Sequence, residues 1–241
     1  MTTIIYDLET TGLSPTNDRI IEAYFLNTGN QTFKHIIVNP GVVIPPEVSK
    51  VNGWTNMDVD KYPKLKDVVY EIMDFCEKGC YLVAHNNDPF DKQFMRNAFK
   101  QLGFNSFASS WKFVDTLKIA RQIYPTMKNH KQETLQKKFN ISVNNNHKAN
   151  KDVLDLSRIF EHLCKELGNP TIEKLHQISS KFRYNTMPFG KFSGKKFQDI
   201  PLDYLQYMYN NNMINKSDVA LTKSILIQIK KKLLNKTECG M

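Results

Sequence analysis

The sequence predicts an α/β layer fold followed by a small basic module of mixed α+β character. Three observations carry that expectation. Short β-branched and apolar runs crowd the N-terminal segment up to Val38, helical periodicities alternate with compact apolar runs from Tyr62 onward, and after Gly168-Asn169-Pro170 the composition turns aromatic and lysine-rich. The expected organisation is a domain over residues 1–170 and a second module over 171–241.

Each element has a local reason. Thr2 to Tyr6, Ile20 to Leu26 and Thr32 to Val38 read as three strands, the last two joined as a hairpin through Thr28-Gly29-Asn30. Tyr62 to Glu77 carries Leu65, Val68, Val69, Ile72, Met73 and Phe75 near helical spacing, and Tyr81-Leu82-Val83-Ala84 is a compact buried strand. Pro89 to Leu102 starts with proline in its first turn and stops before Gly103, as a helix should. Trp111 to Val114 follows as a strand, with helices expected over Asp115 to Ile123, Gln132 to Phe139 and Val153 to Leu167. In the second module the helical segments are Leu202 to Tyr209 and Val219 to Leu234.

Composition excludes several classes. With 241 residues, 41% hydrophobic and 24% charged, the chain is neither fibrous nor disordered. Met1 to Asp7 puts an acid where a signal peptide needs an apolar stretch, and no run approaches the roughly 18 apolar residues of a spanning helix. Cys76, Cys80, Cys164 and Cys239 form no Cys-x-x-Cys pair, so the expectation is an intracellular protein with reduced thiols and no membrane partner. The net charge of +9 is unevenly placed: residues 1–100 hold 10 basic and 13 acidic side chains, residues 101–241 hold 23 and 11. A basic half suits a polyanion, and an acidic half suits cations.

The acids are patterned. In Tyr6-Asp7-Leu8-Glu9-Thr10-Thr11-Gly12-Leu13 an apolar strand ends in two carboxylates one residue apart, which a strand points to the same face. Carboxylates that close stay ionised at neutral pH only with a cation between them. Ala84-His85-Asn86-Asn87-Asp88-Pro89-Phe90-Asp91 puts another acid where a strand gives way to a helix, and His147-Lys148-Ala149-Asn150-Lys151-Asp152 supplies a histidine and a fourth acid at the start of the domain's last helix.

These motifs resemble the DEDDh, or DnaQ-like, class of 3′→5′ exonucleases. The first motif is matched at Asp7 to Leu13, the second at His85, Asn86, Phe90 and Asp91, and the third at His147, Ala149 and Asp152. The spacing of the second is most similar to the three-prime repair exonucleases, and Asp115-Thr116-Leu117 and Thr134-Leu135 are similar to weaker family signatures. The resemblance covers residues 1 to about 167. It implies a ribonuclease H-like mixed sheet flanked by helices, with two Mg²⁺ or Mn²⁺ ions held by Asp7, Glu9 and Asp152, and by Asp91 directly or through water. It implies His147 as general base. It further implies backbone contacts to the substrate from Thr10 and Thr11, Leu13 as a wedge beside the terminal base, and Phe90 packed near its sugar or base. Asn86 would bind a phosphate oxygen or serve as a cap.

The expected activity is hydrolysis of terminal phosphodiester bonds of DNA, single-stranded or at frayed ends, to nucleoside 5′-monophosphates. An exoribonuclease is the alternative of the same chemistry, and a non-catalytic nucleic-acid-binding or scaffolding protein the alternative of another class. In the second module, Gly190 to Lys195 imitates a phosphate loop, but only three residues separate the glycines and Lys196 stands where Ser or Thr is needed. A glycine-turned hairpin presenting Lys191, Lys195 and Lys196 to nucleic acid fits better, and a helix-hairpin cap is the structural alternative.

Overall fold

Five strands form one mixed sheet whose centre is the N-terminal strand. In this computed structural model, residues 1–141, 149–214 and 219–238 are described. The strands are β1 (Thr3–Thr10), β2 (Ile20–Asn27), β3 (Phe33–Ile37), β4 (Tyr81–Ala84) and β5 (Lys112–Asp115), in the order β3-β2-β1-β4-β5. The hairpin partners β1, β2 and β3 run antiparallel, while β4 and β5 join parallel to β1. Parallel neighbours need crossovers, and helices supply them. In chain order the helices are α1 (Pro46–Asn52), α2 (Asn56–Val59), α3 (Leu65–Phe75), α4 (Asp91–Gln101), α5 (Asn105–Ser109), α6 (Thr116–Ile123), α7 (Gln132–Lys138), α8 (Ala149–Glu166) and α9 (Ile172–Lys181).

Strand periodicity assigns β1 to two cores. Ile4, Tyr6 and Leu8 face Val69 and Ile72 of α3 and Phe94, Met95 and Phe99 of α4, while Ile5 faces Ile119 of α6 and Val153, Leu156 and Ile159 of α8. All of these side chains are buried, so β1 is covered on both faces. Asp7 and Glu9 belong to the face that α8 covers.

The β4–α4 turn is held from below. Asn87 is fully buried; it accepts from the Tyr6 hydroxyl at 2.6 Å and donates to the Leu82 and Val114 carbonyls at 3.1 and 3.0 Å. The Asp115 carboxylate, which also caps α6 through the Leu117 N–H, accepts the Asn86 N–H at 3.1 Å and the Asp88 N–H at 3.2 Å. Asn86 itself sits in the left-handed region at φ 65°, which asparagine tolerates better than most residues. One side chain on β5 thus shapes the turn that delivers Asp91.

The chain divides into two compact units, Met1–Ser180 and Lys181–Met241. Gly168 (φ 75°) and Asn169 (φ 53°) end α8 in a left-handed turn, with the Asn169 N–H on the Cys164 carbonyl at 2.8 Å. Helix α9 then returns to the first unit: Leu175 is buried in its core, and Ser179 Oγ accepts the Asp115 N–H at 2.9 Å.

In the second unit, α10 (Leu202–Asn210), α11 (Val219–Glu238) and a 3₁₀ turn at Phe197–Asp199 enclose Met187, Phe197, Ile200, Leu205, Met208 and Ile225. The expected α+β character is corrected to helical among the described residues, because the hairpin contributes one isolated bridge, Thr186 to Lys196. Pro188, one residue beyond Met187, has no N–H to extend the ladder. Among the described residues no helix is long and apolar enough to cross a membrane. Replacing Asn87 by Ala strands a hydroxyl and two carbonyls in the core and is expected to lower unfolding free energy by about 1–3 kcal/mol, read as a reduced urea midpoint at unchanged slope.

Candidate metal centre at the end of the central strand

The site is built where β1 leaves the sheet. Its pairing with β2 runs in register to Glu9 opposite Glu22 and slips between Glu9 and Thr10, so the chain departs through a bulge directly after the second carboxylate. Asp152 lies in the first turn of α8, where the helix dipole favours an anion. One carboxylate oxygen from each of Asp7, Glu9 and Asp152 lies within 4.8 Å of the others, and all three residues are half-buried. Asp91, the first residue of α4, is 3% exposed. Its Oδ1 is buried without a hydrogen-bond partner among the described residues.

Burial and crowding set the electrostatics. Burial first, then the neighbouring charges of Asp91, Glu9 and Asp152, push the Asp7 carboxyl well above the usual range. Burial, with Glu22 and Asp152, pushes Glu9 up to about 7. Asp91 is likewise raised by burial and by Asp115 and Glu9, against the opposing effect of its own and the Leu8 backbone N–H groups. Acids so arranged either take up protons or hold cations. Hard oxygen donors, mutual repulsion and an orphaned buried carboxylate oxygen on Asp91 fit Mg²⁺ or Mn²⁺.

Around this centre the other expected residues have definite places. Thr10 Oγ1 donates to the Gly12 carbonyl at 2.6 Å, and the Thr11 N–H is spent on the Arg19 carbonyl at 2.9 Å, while Thr11 Oγ1 accepts the Arg19 N–H at 3.0 Å. Both threonines therefore shape the loop between β1 and β2. Gly12 closes it, since a Cβ there would come within 2.4 Å of the Asp18 carboxylate. Leu13 is 85% exposed. Phe90 packs its ring 4.9 Å from Phe94 against the first core, and the Asn86 side chain is exposed. His85 bonds the Thr116 hydroxyl through Nδ1 and the His130 carbonyl through Nε2, and burial lowers it to about 4, as suits a strand-end hydrogen-bonder. His147 lies outside the described residues. Lys191, Lys195 and Lys196 are exposed in the second unit.

Sequence reasoning missed three residues that organise the site: Asn87, Asp115 as an acceptor for the β4–α4 turn, and Glu22. Glu22 is 6% exposed opposite Glu9, with one oxygen accepting from Trp54 Nε1 at 2.8 Å and the other 2.6 Å from His35 Nε2. An acid inside the apolar run Ile20-Ile21-Glu22-Ala23 was the available signal.

The RNase T family model, described as "Exonuclease", matches residues 4–160. A second model, described as "Putative quorum-sensing-regulated virulence factor", matches residues 174–234. The chain is 32% identical over 181 residues to a "DNA polymerase III PolC-type" of Caldanaerobacter subterraneus, covering 73% of this chain and 12% of that protein. It is 33% identical over 183 residues to "Exonuclease DPD1, chloroplastic/mitochondrial" of Arabidopsis thaliana, covering 69% of this chain and 57% of the relative. The chain thus spans a small part of the polymerases it matches. Among solved structures, exonuclease I superposes with TM-score 0.61 at 20% identity over 73% of this chain and 42% of that one. Exonuclease X in complex with 5′ overhanging duplex DNA does so with TM-score 0.57 at 20% identity over 73% and 99%. These likenesses show the fold.

A carboxyl raised in the folded state binds protons that the unfolded chain has released, so its contribution falls as pH rises from the unfolded value of about 4.5 through 7. The metal-free protein is therefore expected to lose thermal stability across that window, Mn²⁺ to restore it, and Glu9→Gln to raise the metal-free stability at neutral pH by the order of 1 kcal/mol, measured by calorimetry with and without EDTA.

Proposed function

The chain belongs to the exonuclease family whose model spans residues 4–160, and from that membership we propose that it is a metal-dependent 3′→5′ exonuclease that releases nucleoside 5′-monophosphates from DNA. The observation that carries this reading is the meeting of Asp7, Glu9 and Asp152 within 4.8 Å at the end of the central strand. These three would hold two divalent ions, with Asp91 completing the site directly or through water. Bound Mg²⁺ or Mn²⁺ supplies Lewis-acid neutralisation of the phosphodiester's charge and makes water acidic enough to attack near neutral pH.

The chain's own residues do the rest. The carboxylates must be deprotonated to serve, and a cation offsets the repulsion that raises them. His147, five residues before Asp152, takes the proton from the attacking water, a task its ordinary value of about 6.5 suits. Leu13, 85% exposed on the loop that follows Glu9, wedges beside the terminal base, Phe90 lines the path of its sugar, and the exposed Asn86 amide takes a phosphate oxygen. Thr10 and Thr11 act by holding the shape of Leu13's loop. DNA as the substrate is supported by the polymerase relatives and by the DNA-bound exonuclease X neighbour.

The test is digestion of 3′- and 5′-labelled DNA and RNA oligonucleotides with Mn²⁺, Mg²⁺ or EDTA. Mononucleotide release from the 3′ end of DNA, stopped by EDTA, is expected; preference for RNA would move the substrate, and absence of cleavage with all ions would overturn the reading. Asp7→Ala is expected to abolish cleavage and weaken Mn²⁺ binding, whereas His147→Ala cuts turnover by about 10²–10⁴ with Mn²⁺ binding kept.

A further inference from the structure

The glycine-turned hairpin of the second unit has no part in the chemistry above, yet its construction is specific. The Met187 N–H donates to the Lys195 carbonyl and the Gly194 N–H to the Met187 carbonyl, each at 2.8 Å, closing a loop around Gly190 (φ 75°) and Gly194 (φ 82°). Both glycines occupy the left-handed region, so the turn depends on them. It leaves Lys191, Lys195 and Lys196 exposed and Phe192 partly buried.

Phe192 is fixed in turn by Tyr204 of α10, edge-on with ring centroids 4.6 Å apart. Lys191 Nζ and Lys195 Nζ lie 5.7 and 5.3 Å from the Phe192 centroid. None of the ion pairs among the described residues involves any of the three lysines, and all three residues are exposed. Three further aromatics stand exposed in the same unit: Phe189, at 41% on the hairpin itself, Tyr207, at 53% and one helical turn along from Tyr204, and Tyr209, at 42% further along α10. From Lys181 onward the chain holds 11 basic and 4 acidic residues.

We propose that the second unit is a binding site for single-stranded nucleic acid, with Lys191, Lys195 and Lys196 meeting phosphates and Phe189 and Tyr207 offering stacking faces to bases. The pairing of the two residue types selects this ligand. Cations alone suit any polyanion, but exposed rings beside them gain only from a ligand that carries flat unpaired bases between its phosphates. A duplex hides those faces, and an acidic peptide lacks them. The role inferred for this site rests on the exonuclease reading: tethered to the catalytic unit by one chain, it raises the local concentration of strand.

The test uses the full chain in EDTA, with fluorescein-labelled dT20 followed by anisotropy between 50 and 200 mM KCl. Replacing the three lysines together by Gln is expected to reduce the slope of log affinity against log salt by about 2, the counterion release of three single-strand phosphate contacts. Phe189→Ala with Tyr207→Ala is expected to leave the slope alone and weaken binding about tenfold or more at every salt concentration. An unchanged slope in the lysine variant, unchanged affinity in the aromatic variant, or displacement of the strand by phosphatidylserine vesicles as effectively as by unlabelled dT20 would each overturn the proposal. Hydrolysis of the p-nitrophenyl ester of thymidine 5′-monophosphate by the unaltered chain with Mn²⁺ reads the catalytic unit separately: no hydrolysis there sinks the exonuclease reading and leaves the binding result standing.

Discussion

Repulsion among buried carboxylates is the constraint around which the first unit is organised. Asp7, Glu9 and Asp152 would separate or take up protons in a pliable chain, and Asp91 and Glu22 add negative charge beside them. They are kept together because each sits on an element whose position is settled by apolar packing. Asp7 and Glu9 ride on a strand buried on both faces, Asp152 on a helix anchored by Val153 and Leu156, and Asp91 on a helix anchored by Phe94, Met95 and Phe99. The apolar burial of those neighbours, at roughly 1.5–3 kcal/mol for each fully buried side chain, offsets the electrostatic cost. A divalent cation held there would turn that cost into binding energy.

Polar positioning completes what packing begins. Asn87 ties β1, β4 and β5 together beneath the turn that leads into α4, and Asp115 accepts the backbone donors of that turn from the end of β5. Glu22 is withheld from the carboxylate cluster by Trp54 and His35, which occupy one oxygen each. Two buried acids so close to the site therefore act on it by shaping backbone and potential, with their oxygens already engaged.

The second unit reaches its order by other means. Its core is small, and the hairpin that carries its lysines is held by two left-handed glycines and an edge-on aromatic pair in place of an extended ladder. Such a turn packs Phe192 against that core and leaves Lys191, Lys195 and Lys196 in solvent.

The strands β1 to β5 and the long helices were legible because their apolar periods are strong, and Asp7, Glu9, Asp91 and Asp152 because spacing along a strand or beside a helix start is a local property. The short helices α1, α2 and α5 were not, since four to seven residues leave too little period to read. Helix α9 was not legible either, because Gly168-Asn169-Pro170 marks a helix end with equal force whether or not the chain turns back, and only Leu175 and Ser179 in contact with the sheet show that it does. The meeting of Asp152 with Asp7, and the contacts of Asn87, Asp115 and Glu22, likewise belong to the tertiary structure, because they join residues tens of positions apart whose partners no local pattern names.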